Sequence, residues 1–361
     1  DLKVSGITNA FTGKLLITTN DTGSETDGDV EIDGGTTNLI IGLSTIEGDL
    51  TLRSGGTITD DGIATVRGTL SATTDASDRL ITLDQLAVTD AFTLAPDGTG
   101  AVTIVNAAGL KLAASTMGGT FSGTATTGNI TQSGALDIEG TTTLVTTAQL
   151  ATIDLATNGS GNAFTSELLI TTNDDNSAYT AHVSVDGGTT NLIIGTSTID
   201  GDLNLLSGGT ITDTDGSTVT VKGTLTATTD ASDSAITLND LAVDGAFTLD
   251  PDGTGAVTIV NAAGLNLAAS TIEGTFSGTA TTGDISDSGI LAITGAATFI
   301  TTANNRSIIL DQNNVFGSHV TMQTGNGSNA VFDDITFVDT NGVDLVSSAP
   351  SSAGKLFIDA T

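Results

Sequence analysis

A repeat nested within a repeat is the feature that most narrows what this chain can become. Asn9-Ala10-Phe11-Thr12 returns as Asn162-Ala163-Phe164-Thr165, which sets a 153-residue period. In the same way "ITTNDTGSETDGDVEIDGGTTNLIIG" from Ile17 returns from Ile170 as "ITTNDDNSAYTAHVSVDGGTTNLIIG". The segment from Ala95, "APDGTGAVTIVNAAGLKLAASTMGGTFSGTATTGNI", reappears from Asp250 at a slightly larger shift; the two extra positions fall in "TITDTDGSTV" against "TITDDGIATV". A shorter, 72-residue period lies inside the long one, because "GTITDDGIATVRGT" at Gly56 matches "GNITQSGALDIEGT" at Gly128. Ala-Phe or Val-Phe pairs ending at Phe11, Phe92, Phe164, Phe247 and Phe316 mark the shorter units. A self-similar unit of this kind covers its apolar face by stacking on its neighbours.

The apolar residues inside each unit alternate over short runs: Val30 and Ile32, Val102 and Ile104, Leu110 and Leu112, Leu136 and Ile138. Period two reads as half-buried strands, and the Gly, Asn, Asp, Thr and Ser between them supply turns. No window carries helical periodicity with caps. The expected fold is all-β, a right-handed parallel β-helix with coils of roughly 18 residues, about 18 to 20 of them. A tandem array of β-sandwich domains is the alternative. Residues 1–361 read as a single elongated solenoid, with copies at approximately 9–161 and 162–313 and a partial third at 314–361. The 72-residue register predicts that Ile58 and Ile130, and likewise Val66 and Ile138, point into the same solenoid face. Asn106 and Asn261, both in "TIVNAAG", are expected to join a buried amide ladder.

Nine basic and 42 acidic residues give a net charge of −33 over 361 residues, which repels nucleic acid phosphates and anionic lipid. Nucleic acid is therefore excluded as a partner, and no apolar run is long enough for a direct membrane span. With 38% hydrophobic residues the chain is too apolar for a disordered acidic tail, although aromatics reach only 3%. There is no cysteine, so neither a disulfide framework nor a thiolate metal site can form. Asp1 begins no recognisable signal peptide, and the sequence reads as a mature form or an excised segment.

The acids invite a test for metal chemistry. Asp21, Glu25, Asp27, Asp29 and Glu31 in the first acidic insert, and Asp174 with Asp175 in the second, are candidate oxygen ligands for calcium, as against solvated turns. The two copies do not share acidic spacing, since Thr180 and His182 stand where the first has Asp27 and Asp29. Asp213 with Asp215, and Asp250 with Asp252, open like calcium loops without the closing Glu. Gly-Gly-x-Gly-x-Asp is not repeated in tandem. His182 and His319 lack the spacing of a metal pair or of a nucleophile's base, and no Gly-x-Ser-x-Gly elbow is present. Paired carboxylates run glycoside hydrolysis in some β-helices, but no cluster joins them here to Arg and aromatic platforms. No catalytic or cofactor-binding residue is assigned, and metal ligation stays open.

"GNITQSGALDIEGTTTL", "GDISDSGILAITGAATF", "SIILDQNNVFGSHVTM" and "GDLTLRSGGTITDDG" resemble the repeat regions of filamentous-haemagglutinin-like bacterial surface adhesins. The resemblance implies a right-handed β-helix and export across the outer membrane. The expected function is a non-enzymatic, extracellular or cell-surface stalk segment, adhesive or structural, with a host or cell-surface receptor as its partner. The alternative is a subunit that self-associates into an extracellular filament or sheath, and an enzyme acting on polysaccharide is a third reading.

Overall fold

The computed structural model describes residues 9–20, 28–173, 180–325 and 334–342, and the backbone alone of 345–349 and 356–360. The chain packs as two compact units, Asp1–Gly188 and Thr189–Thr361. Both are parallel β-solenoid, and the turns number about 14. Among the described residues the one helical element is a short 3-10 turn at Gly159–Gly161. The strand ladders pair in parallel, which sets aside the tandem sandwiches, whose strands would pair antiparallel.

In the first unit, one sheet stacks Leu39–Ile46, Ile58–Val66, Ile81–Val88, Val102–Asn106, Phe121–Ala125, Thr142–Gln149 and Glu167–Asn173. Leu39, Ile58, Ile81, Val102, Phe121 and Thr142 are successive partners on it, and their spacing sets the length of each circuit. A second sheet stacks Val30–Asp33, Leu50–Ser54, Leu70–Thr74, Ala91–Ala95, Leu110–Leu112, Ile130–Gln132, Ile153–Leu155 and Val183–Asp186. The circuits are longer than the sequence led us to expect, because each contains a sharp bend that consumes extra positions. In the early circuits the bend lies in the first sheet, at register breaks between Gly42 and Ser44, Thr59 and Ala64, and Leu83 and Leu86. In later circuits a bend lies beyond the second sheet, where Ser115–Met117, Leu136–Ile138 and Ala163–Phe164 form a short third sheet, and the first sheet breaks once more between Val145 and Gln149.

The second unit repeats this plan. Its bend breaks the first sheet between Leu238 and Leu241, and its third sheet pairs Ser270–Ile272 with Leu291–Ile293 and then with Val315 and Phe316. Inward positions are filled by Ile, Leu, Val and Phe at close to zero exposure, including Phe92, Phe164, Phe247 and Phe316. Small residues make room for the large ones: Gly123 and Gly278 sit where a Cβ would press on the rings of Phe121 and Phe276. Phe276, Phe299, Phe316 and Phe337 form a chain of ring contacts with centroids 5.1, 6.1 and 5.2 Å apart.

The register expected from the 72-residue period is wrong in an informative way. Ile58 lies on the first sheet and Ile130 on the second; Val66 lies beyond the first-sheet bend and Ile138 on the third sheet. All four are buried, but not on shared faces. From Ile58, three circuits on the first sheet lead through Ile81 and Val102 to Phe121, and half a circuit more reaches Ile130. The short repeat thus spans three and a half circuits and exchanges the two large sheets. Doubling it restores the face, which is why Leu39 and Leu192, like Leu50 and Leu203, are first-sheet and second-sheet residues respectively in both units.

Candidate functional site

The chemistry of this fold lies in how carboxylates and amides meet backbone groups one circuit away. A parallel solenoid leaves donors unpaired wherever a strand bends, and each buried one must find an acceptor. Asp60 accepts from the amides of Asp84 and Gln85, at 3.1 and 2.8 Å, the two residues in the register break of the next circuit. Asp213 does the same for Asp240 at 2.7 Å, and Asp287 for Asp311 and Gln312. Gln132 occupies the equivalent place in the second short repeat and exchanges hydrogen bonds with Asn162 at 3.0 Å. Burial raises the carboxyls of Asp60, Asp213 and Asp287 above the ordinary carboxylate range, against the opposing pull of those amides.

Inside the coil, Asn106 accepts from the Val88 amide at 2.8 Å and donates to the carbonyls of Val88 and Gly109 at 2.9 and 2.6 Å. Asn261 repeats this with Val243 and Gly264. The expected amide ladder does not form from this pair: each Asn bonds backbone within its own unit, because a bend, not another amide, presents the unpaired groups. Asp29 and Asp49 peg the amides of Asp49 and Thr69, and Asp202 pegs that of Thr224. Asp78 and Asp233 accept from the hydroxyl and amide of Thr99 and Thr254, which holds both carboxyls below their ordinary range.

The candidate calcium ligands divide accordingly. Asp21, Glu25, Asp27, Asp174 and Asp175 lie outside the described residues. The second insert falls between Glu167–Asn173 on the first sheet and Val183–Asp186 on the second. Asp29 and Asp213 are committed to amides, Glu31 is half-buried on the strand Val30–Asp33, and Asp215 sits in the bend before Gly216. Thr180 accepts from the His182 amide, and His319 is exposed beside Ser318. Among the described residues no three His, Asp or Glu side chains come together as a metal-holding group.

Asp250 and Asp252 share one groove. With Asp230, Glu273, Pro251 and Thr271 they line an open groove of about 310 Å³ in the second unit. Among the described residues no ion pair reaches its four carboxylates, and negative charge left uncompensated in a groove attracts cations. The first unit neutralises the same corner: Ala95 and Gly118 replace Asp250 and Glu273, and Arg53 holds Asp75 at 2.9 Å. Sequence reading had flagged Asp250 and Asp252 but missed Asp230 and Glu273, whose approach depends on the circuit length.

The family model of "Repeats of unknown function (DUF5649)" matches residues 27–94, 99–171, 180–250 and 254–323, more than half of the chain. The chain belongs to this family. The first two matched segments are the two halves of the 153-residue period, so each family repeat is one unit of three and a half circuits. Comparisons with curated proteins and with solved structures returned no match. Among the described residues no helix is long and apolar enough to cross a membrane.

Proposed function

We propose that this chain is a non-enzymatic structural and display segment, a stalk-like part of a large bacterial surface protein that works outside the cell by adhesion. One observation carries this reading. At equivalent positions of successive repeats, carboxylates and amides are spent on holding one circuit to the next, as at Asp60, Gln132, Asp213 and Asp287. Repetition of a bracing device suits a spacer that carries its contacts on its outer face. The net charge of −33 keeps such a surface soluble and opposes sheet-to-sheet association.

The test is labelling of intact producing cells with an impermeant antibody to this segment, paired with adhesion of cells that carry or lack it. Labelling before permeabilisation, and adhesion reduced by deletion of the segment, are the expected results. Labelling only after permeabilisation would overturn the extracellular reading. Fibres of constant width formed by the purified chain would replace the stalk with the filament subunit.

A further inference from the structure

Three successive circuits of the first unit turn an aliphatic side chain outward at one bend. Leu43 sits in the register break between Gly42 and Ser44, and Ile63 in the break between Thr59 and Ala64. Leu16 lies alongside Leu43, between the bridges Leu15 to Ile41 and Thr18 to Thr45. Their exposures are 67% for Leu16, 66% for Leu43 and 54% for Ile63, against 1% for Ile41 and Ala64 on the same two strands as Leu43 and Ile63, while Leu15 and Ile17 beside Leu16 are half-buried. With circuits spaced about 4.8 Å apart, the three form a continuous apolar column roughly 10 Å long.

The bend requires extra residues but does not require them to be apolar. In the next circuit the same positions hold Asp84 and Gln85. In the second unit Thr196 replaces Leu43, and residues 214–218, Thr-Asp-Gly-Ser-Thr, span the bend that Ile63 occupies. A bulge that re-aims a side chain is a common device at working surfaces, and here Leu43 and Ile63 load it with aliphatic side chains in one unit only, while the repeat of Leu16, Leu169, keeps its leucine in a half-buried place. Acids flank the column: Asp61, which already holds Lys14 at 3.1 Å, and the exposed Asp84, with the half-buried Asp60 between them held by the amides of Asp84 and Gln85.

We infer that this column is a docking site for a basic polypeptide segment that presents an apolar stripe between Lys or Arg residues. The aliphatic side chains supply the contact that excludes water, and the flanking acids with the field of the whole chain supply orientation and a fast approach. A second copy of the chain is the wrong occupant, because it brings another −33 of charge to the same place. The inference goes beyond the stalk reading and holds wherever the chain resides.

The probe is a peptide with leucine-isoleucine-leucine between pairs of lysines, compared with one of equal charge carrying serine-threonine-serine. Binding to the full chain is followed by fluorescence anisotropy at about 0.15 M salt, where diffuse charge attraction is screened. The wild-type chain is expected to prefer the apolar peptide by at least about tenfold, equivalent to about 1.4 kcal/mol. The variant Leu16→Ser, Leu43→Thr, Ile63→Ser should lose that preference and keep its weak binding of the control peptide, with an unchanged melting curve as proof of folding. Equal binding of both peptides, or a preference that survives in the variant, would overturn the inference. So would sedimentation showing that the wild type self-associates through the column and the variant does not.

Discussion

Replacing Asn106 by alanine strands three backbone groups at once. The side chain is at zero exposure, and it satisfies the Val88 amide and the carbonyls of Val88 and Gly109. Each buried polar group left without a partner costs about 1–3 kcal/mol, and the carbonyls recover part of that by small shifts, so the total is about 4 kcal/mol. That is a large share of the stability of an ordinary domain. Urea unfolding followed by far-ultraviolet circular dichroism reads the effect as a lower midpoint at nearly constant slope. Asn261→Ala is an internal replicate, since its three bonds match in partners and length, and it should lose a similar amount. Because the two residues belong to different units and share no partner, the double variant should show the sum of the two losses. Thr103→Ala, at a half-exposed outward position nearby on the same strand, should change stability by no more than about 0.5 kcal/mol. If Asn106→Ala fell within that same margin, the account of the bends as polar groups needing a plug would be refuted.

Three further outcomes follow from the same geometry. Ile104→Asp places an unpaired charge at zero exposure and should cost several kcal/mol, read as a collapse of the thermal midpoint; an unchanged midpoint would mean that the position is not buried. Gly35 and Gly188, with φ of 62° and 64°, pack against the carbonyls of Asn9 and Asn162, so alanine at either should cost about 2–4 kcal/mol, while alanine at the open Gly13 should cost much less. Asp60, Asp213 and Asp287 have raised carboxyl pKa values, so the folded chain holds their protons more tightly than the unfolded one. The stability this contributes is fullest below the ordinary carboxylate range and is lost as pH rises through the raised values, so the triple Asp→Asn variant should show a flatter pH dependence just above the ordinary carboxylate range. An identical pH profile would remove these three groups from the explanation.

The alternation of Val102 with Ile104 and of Leu110 with Leu112 was enough to read strands, and the nested period was enough to read a solenoid. Coil length was not legible, because the extra residues at a bend, such as Leu43 or Asp84 with Gln85, look like any other strand or turn positions until the register break is seen. The same blindness misplaced Ile130: a period in sequence says that environments recur, and two faces of one solenoid offer nearly the same environment. Asn106 was read correctly as buried, but its partner was not, since the amide could as well have met another amide as a bend. Asp230 and Glu273 share a groove with Asp250 and Asp252 because the circuit there stacks Thr228 on Asp250 and Thr229 on Pro251, and no local pattern announces that pairing.

The half-circuit offset of the short repeat has a consequence that can be built and tested. If one repeat exchanges the two large sheets, removing a whole repeat should leave every remaining strand with a suitable neighbour, only turned to the other side. Deleting residues 58–129 joins Thr57 to Ile130, and Ile130–Gln132 should then take the place of the start of Ile58–Val66 beside Leu39. The third-sheet strand Leu136–Ile138 should follow into the place of Ala64–Val66, beyond the bend. The shortened chain should fold, with the same circular dichroism per residue and a smaller urea slope, because less surface is exposed on unfolding. The chain has no cysteine, so a designed pair reports the new register without interference. Ile40→Cys and Thr131→Cys would become direct neighbours on adjacent parallel strands, within reach of a disulfide in the deletion variant. In the full-length chain the two residues lie on different sheets and should not cross-link. A folded deletion variant that failed to cross-link, or a full-length chain that did, would refute the half-circuit exchange; a surface that must face one way throughout should accordingly gain or lose these repeats in pairs.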